Sequence, residues 1–189
     1  MPHRRRRRIV EPVTEFLTET TESDLPSVTR MLLRADGSMT RLLEALIDRP
    51  LALDLTDQHT TTGHDLDPAV RAALGCADAD AVVVRRSTLV TTGGAAVSWN
   101  CVAVVAADDE LTALLTDERL PIGHSLAGAR RHLARTVLGA GVTRWPVAGE
   151  GEGLPCAYKE SVLSDHRSAV VAHLHERFNP TYVPLAAAR

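Results

Sequence analysis

The sequence predicts an α+β fold: one antiparallel sheet with helices packed on one side. Three observations carry that prediction. Runs rich in Val, Thr and Leu alternate with period two and come in adjacent pairs. Tight-turn signals separate the pairs, at Gly93-Gly94 and at Ser164-Asp165-His166-Arg167. Hairpins therefore outnumber any strand–helix–strand alternation, and segments with helical spacing fall outside the paired runs.

Taken in order, residues 1–22 are charged and Thr/Glu-rich without periodicity, and read as an extended arginine-rich arm ahead of a domain at 23–185. Ser23-Asp24-Leu25-Pro26 reads as a capped helix start, and the helix runs through Val28, Met31 and Leu32 to a stop at Asp36-Gly37. Ser38 caps a second helix from Met39 to Ile47, with Leu42, Leu43, Leu46 and Ile47 at helical spacing. Leu51 to Thr61 alternates as a strand with one wet face. Asp67-Pro68 opens a short helix to Leu74, and two strands follow at 81–92 and 95–106. Asp108 caps a helix to Leu115. Pro121-Ile122-Gly123 feeds a helix expected from Ser125 to Leu138, closed by Gly139 and Gly141. A short strand is expected at 142–147, a flexible loop at 149–153, and a last strand pair at 156–163 and 168–178.

The 189 residues suit one domain with a sizeable core. A net charge of −3 gives the folded body no general attraction for phosphate backbones, since much of the positive charge lies in Arg4 to Arg8. That run reads as a solvated tail rather than a nucleic-acid contact. An aromatic share of 3% argues against a base-stacking platform. No apolar stretch approaches a membrane span, and Glu11-Pro12 interrupts any secretion signal. Cys76, Cys101 and Cys156 are sparse and odd in number, as expected of reduced thiols in a cytoplasm.

Glu176 is the first candidate for chemistry. In the run 168–178 it shares a phase with Val170, Ala172, Leu174 and Phe178, while His173, His175 and Arg177 take the other phase. A carboxylate aimed into a core is costly unless it is partnered or protonated, and chains that keep one usually use it. A desolvated acid with a raised pKa would suit proton transfer near neutral pH. Arg85-Arg86 interrupts the apolar strand Val82-Val83-Val84, so one guanidinium points to the covered face. There it would grip a ligand carboxylate or neutralise an internal acid. Pro121-Ile122-Gly123 and Ser38-Met39-Thr40 are turn and cap signals first and ligand contacts second. His173 and His175 share a face, but no third ligand at motif spacing makes a metal site. No serine sits in a nucleophile-elbow context, and the glycine-rich loop lacks the Lys-Ser/Thr of a phosphate-binding loop.

Four segments in order resemble the chorismate lyase family: Asp36-Gly37-Ser38-Met39-Thr40-Arg41-Leu42-Leu43-Glu44, the Arg85-Arg86 hairpin, Leu120-Pro121-Ile122-Gly123-His124-Ser125-Leu126, and Glu176-Arg177-Phe178-Asn179-Pro180. Together they span about residues 24 to 184. The resemblance implies about six antiparallel strands, with helices over an enclosed pocket. UTRA domains, the effector-binding modules of bacterial transcription regulators, share that fold. It also implies cleavage of chorismate, a small-molecule carboxylic acid, into 4-hydroxybenzoate and pyruvate with no cofactor and no metal. By the same resemblance, catalysis rests on Glu176 and Arg86, an ungapped hairpin favouring Arg86 over Arg85 for the ring carboxylate. Arg85, Met39, Ile122 and Gly123 are then substrate-binding positions. The family carries a second arginine on the partner strand, where this chain has Asn100 or Cys101; Arg130, Arg131, Arg135 and Lys159 are the cations left to replace it. Two further readings stay open. One is a diverged enzyme performing an elimination or cyclisation in specialised metabolism. The other is a UTRA-like sensor of small acids, disfavoured here because no helix-turn-helix pattern precedes the fold.

Overall fold

Eleven regular elements order the chain in the computed structural model, which describes residues 24–149 and 152–186. The expected N-terminal arm lies outside the described residues. The elements are α1 (Ser27–Arg34), α2 (Met39–Ile47), β1 (Leu51–Thr62), α3 (Pro68–Leu74), β2 (Ala81–Thr91), β3 (Ala96–Val105), α4 (Asp109–Leu115), α5 (Ile122–Gly128), β4 (Ala134–Arg144), β5 (Pro155–Ser164) and β6 (Val170–Phe178). The strands form one antiparallel sheet in the order β1-β2-β3-β6-β5-β4. Two meanders, β1-β2-β3 and β4-β5-β6, therefore meet at a β3–β6 seam.

Local chemistry explains the helix ends. Ser38, Asp67 and Asp108 each accept a hydrogen bond from a first-turn backbone N–H, of Arg41, Ala69 and Leu111 respectively. Gly75 stops α3 with φ of 64°, a conformation glycine adopts without strain. α1 departs from expectation: Pro26 occupies the capping position and no side chain caps the helix.

Four helices lie on one face of the sheet, but α3 covers the other. On the first face α1 and α2 bury Leu32, Leu33, Met39 and Leu43 against Leu89, Val97 and Phe178. Leu111 and Leu115 of α4 pack on Val102, Val104 and Leu174. On the second face Leu66, Val70 and Leu74 cover Val82, Val84 and Ala103. Both faces are thus dry, each large apolar side chain contributing roughly 1.5–3 kcal/mol on burial.

The largest departure lies after α5. The helix ends at Gly128, and β4 begins at Ala134 where the spacing predicted continued helix. β4 is an edge strand whose side chains alternate between solvent and sheet, and its Ala, Arg and Leu content imitates a helix. Gly141, read as a helix stop, lies within the strand. A Cβ there would come 2.9 Å from the Tyr158 ring, so glycine admits the neighbouring strand's aromatic.

Candidate functional site

The sheet face under α2 and α5 holds a cavity of about 300 Å³. β2 presents Arg85, Ser87 and Leu89 to it, β3 presents Asn100 and Val102, and β6 presents Leu174 and Glu176. The helical side supplies the Asp36–Arg41 segment, Ile122, Gly123 and Leu126. Of the residues expected at the site, the structure gathers Glu176, Arg85, Met39, Ile122 and Gly123 around this one hollow. It leaves Arg86 out.

Arg86 points to the opposite face, where its Nη1 lies 3.1 Å from Asp57 Oδ2. Neighbouring strand residues face opposite ways, and β2 is pinned by pairing on both edges. The ungapped alignment that favoured Arg86 is therefore off by one, and Arg85 is the inward cation. Arg85 is 1% exposed. Its Nη1 donates to Leu115 O at 3.0 Å and its Nη2 to Leu120 O at 3.2 Å. Leu115 ends α4, so the carbonyl end of a helix faces the cation. Burial pushes the guanidinium pKa down, opposed by the fields of Asp117 and Glu118. Among the described residues no carboxylate comes within ion-pair distance of Arg85, and its buried Nε has no hydrogen-bond partner. A desolvated cation at a cavity wall has the charge and donors that suit an anion.

Glu176 sits opposite Asn100 on β3 and Lys159 on β5. Its phase is as the alternation predicts, but it does not stand alone. Arg135 of β4 donates from Nη1 to Glu176 Oε2 at 2.6 Å and to Ser161 Oγ at 3.1 Å. The side chains of the pair are 8% and 7% exposed. The sequence showed the acid but hid its partner, because β4 read as helix. Lys159, fully buried, donates from Nζ to Leu32 O at 3.2 Å and to Ala35 O, tying the end of α1 to the sheet. Burial lowers its pKa to about 8, against the opposing pull of Glu176.

Asn100 lines the cavity where a second arginine was looked for, and its Nδ2 donates to Ser98 Oγ at 3.2 Å. Cys101 lies on the far face with α3. Gly123 fits only as glycine: a Cβ would stand 2.3 Å from Ser38 Oγ and 3.1 Å from Thr40 Oγ1. The start of α5 therefore abuts the start of α2, which fixes the cavity's width beside Met39.

His173 and His175 were expected on a wet face; both are buried instead. α3 and an aromatic layer cover them. His175 stacks on Tyr158 with ring centroids 5.5 Å apart, and Nδ1 lies 3.0 Å from Glu160 Oε1. Arg177 Nε donates to His175 Nε2 at 3.0 Å and the guanidinium lies over Trp99. No group of three or more His, Cys, Asp or Glu among the described residues could hold a metal ion. No described helix is long and apolar enough to cross a membrane.

Comparison with known proteins bears on both fold and family. The family described as chorismate pyruvate-lyase Rv2949c-like matches residues 33–145, which include Met39, Arg85, Ile122, Gly123 and Arg135 but stop short of Glu176. No curated protein sequence gives a significant match. Among solved structures, the effector domain of PhnF from Mycobacterium smegmatis superposes with a TM-score of 0.57 at 15% identity, covering 81% of this chain and 94% of that one. A GntR-family transcriptional regulator from Bacillus cereus gives 0.51 at 10% identity, with coverages of 74% and 98%. YydK from Bacillus subtilis, described as a possible transcriptional regulator, gives 0.55 at 10% identity over 75% of this chain. This chain spans 63% of the YydK chain. At such identities the likeness concerns the fold.

Proposed function

Because the chain belongs to the chorismate pyruvate-lyase Rv2949c-like family, we propose that it converts chorismate into 4-hydroxybenzoate and pyruvate, using its own side chains alone. The observation that carries this reading is Arg85, a buried guanidinium at the cavity wall with no carboxylate of its own. In this reading the ring carboxylate docks against the Arg85 guanidinium, and the ring lies between Met39 and Ile122. Glu176 then faces the far side of the ring. Aromatisation removes one ring proton and breaks the bond from the ring to the enolpyruvyl oxygen. The electrons of the C–H bond become part of the aromatic system, and those of the C–O bond leave with the oxygen. Glu176 receives the proton, and the enolpyruvate released takes up a proton to become pyruvate. Orientation by Arg85 supplies the proximity such a step needs, and a positioned carboxylate supplies general-base catalysis.

The test is direct: incubation with chorismate, followed by the ultraviolet absorbance of an aromatic product. Formation of 4-hydroxybenzoate with an equal amount of pyruvate supports the lyase. A second reading, a sensor that binds a small acid without turnover, draws support from the fold shared with the PhnF effector domain. Chorismate that binds and persists favours the sensor. Chorismate that neither binds nor reacts overturns both.

A further inference from the structure

The cavity wall carries a second guanidinium whose hydrogen-bonding capacity is only partly used. Arg135 lines the hollow, is almost fully buried, and uses Nη1 alone, shared between Glu176 Oε2 and Ser161 Oγ. Among the described residues its Nε and Nη2 have no hydrogen-bond partner. Those two nitrogens form one edge of the planar fork, the geometry that takes a carboxylate through two parallel bonds. Arg85 differs: both of its terminal nitrogens already donate to carbonyls, and only Nε lacks a partner among the described residues. In the sheet order β2 and β4 lie on either side of β6, each two strands away. The two cations thus start about 19 Å apart across the sheet, with Glu176 midway. Arg41 and Arg131 also line the wall, and Arg131 donates to Glu110 at 2.6 Å.

We propose that Arg135 is the residue that selects dicarboxylates: it holds the ligand's second carboxylate on its free edge while Nη1 keeps Glu176 aimed at the ring. This rests on the proposed function and names the feature of the substrate that the Asn100 position does not read. The arrangement discriminates by charge. A ligand with one carboxylate satisfies Arg85 and leaves Arg135 as it is in the empty site. A ligand with two also fills the free edge of Arg135 and neutralises a wall that otherwise carries an excess of buried positive charge.

The experiment compares two ligands across the full-length wild type, R135M and R135K. Calorimetry measures 4-hydroxybenzoate, which has one carboxylate; the KM for chorismate, or its dissociation constant if it is not consumed, measures the two-carboxylate case. R135M is expected to weaken chorismate roughly 10- to 100-fold, the span of one charge-assisted contact. Its affinity for 4-hydroxybenzoate should stay within about threefold. R135K, which keeps the charge but not the fork, should fall between and guards against misfolding of the Met variant. An equal loss for both ligands, or no loss for either, overturns the assignment of Arg135 while leaving the lyase or sensor reading intact. Wild type that binds neither ligand overturns the underlying reading and this inference with it.

Discussion

Both faces of the sheet bury polar groups, yet only one of them gathers the candidate residues around a cavity. On the α3 face Arg86 meets Asp57, His175 meets Glu160, and Arg177 bonds His175 while lying over Trp99. Each group there finds its complement within the fold. On the other face, among the described residues, Arg85 keeps Nε and Arg135 keeps Nε and Nη2 without a partner, and both residues line a cavity. Burial of charge therefore does not mark function by itself. Valence left unfilled next to a hollow does, because leaving a desolvated donor unmatched costs about 1–3 kcal/mol that a ligand can recover.

The sharpest way to break that contrast is at Glu176. If the enzyme reading holds, Glu176→Gln lowers kcat by about 10²–10⁴-fold, the span of a lost general base, while 4-hydroxybenzoate still binds. Stopped or steady-state absorbance assays read it, and near-full turnover would remove Glu176 from the chemistry. Next come the neighbouring arginines, which differ by one position and one face. Arg85→Met is expected to weaken ligand binding about 10- to 100-fold. Arg86→Met should leave binding within about threefold and lose only about 0.2–1 kcal/mol, the worth of a half-exposed ion pair. Equal effects of the two would erase the distinction between the faces.

A separate effect, on stability rather than on ligand, concerns Lys159, which sits beside Glu176 in the sheet but turns toward α1. Its pKa in the folded protein, about 8, lies below the ordinary 10.5. Between those values the unfolded chain holds a proton that the folded protein does not, so stability rises with pH across that window. Below pH 8 both states are charged and the slope vanishes. Lys159→Met should abolish the rise, as urea titrations at about pH 7.5 and 10 would show. A wild-type curve that is flat or falling there contradicts a desolvated ammonium.

Much of the architecture could be read before any coordinates. The four strands of the two turn-marked hairpins, the strand β1 and the capped helices α2, α3 and α4 lie within a residue or two of their expected bounds, because turns, caps and alternation are local. What could not be read is non-local. β4 imitates a helix in composition, and only pairing with β5 makes it a strand, so the ion pair made by Arg135 had no signal in one dimension. Arg85 and Arg86 differ by a phase that the flanking strands decide. His173 and His175 read as wet because their phase is polar, but α3 and Tyr158 cover them. Glu176 was readable because an acid in an apolar phase violates a local rule, whatever lies above it.

The seam between β3 and β6 has a consequence for how the protein comes into being. Each meander can zip along short connections, whereas joining β3 to β6 closes a loop several dozen residues long, at the entropic penalty that makes non-local pairings slow. Arg85 belongs to the first meander, Arg135 and Glu176 to the second. Neither half carries a recognisable receptor. During synthesis the hollow cannot exist until β6 has left the ribosome and paired with β3, so both halves of its wall come together in one step.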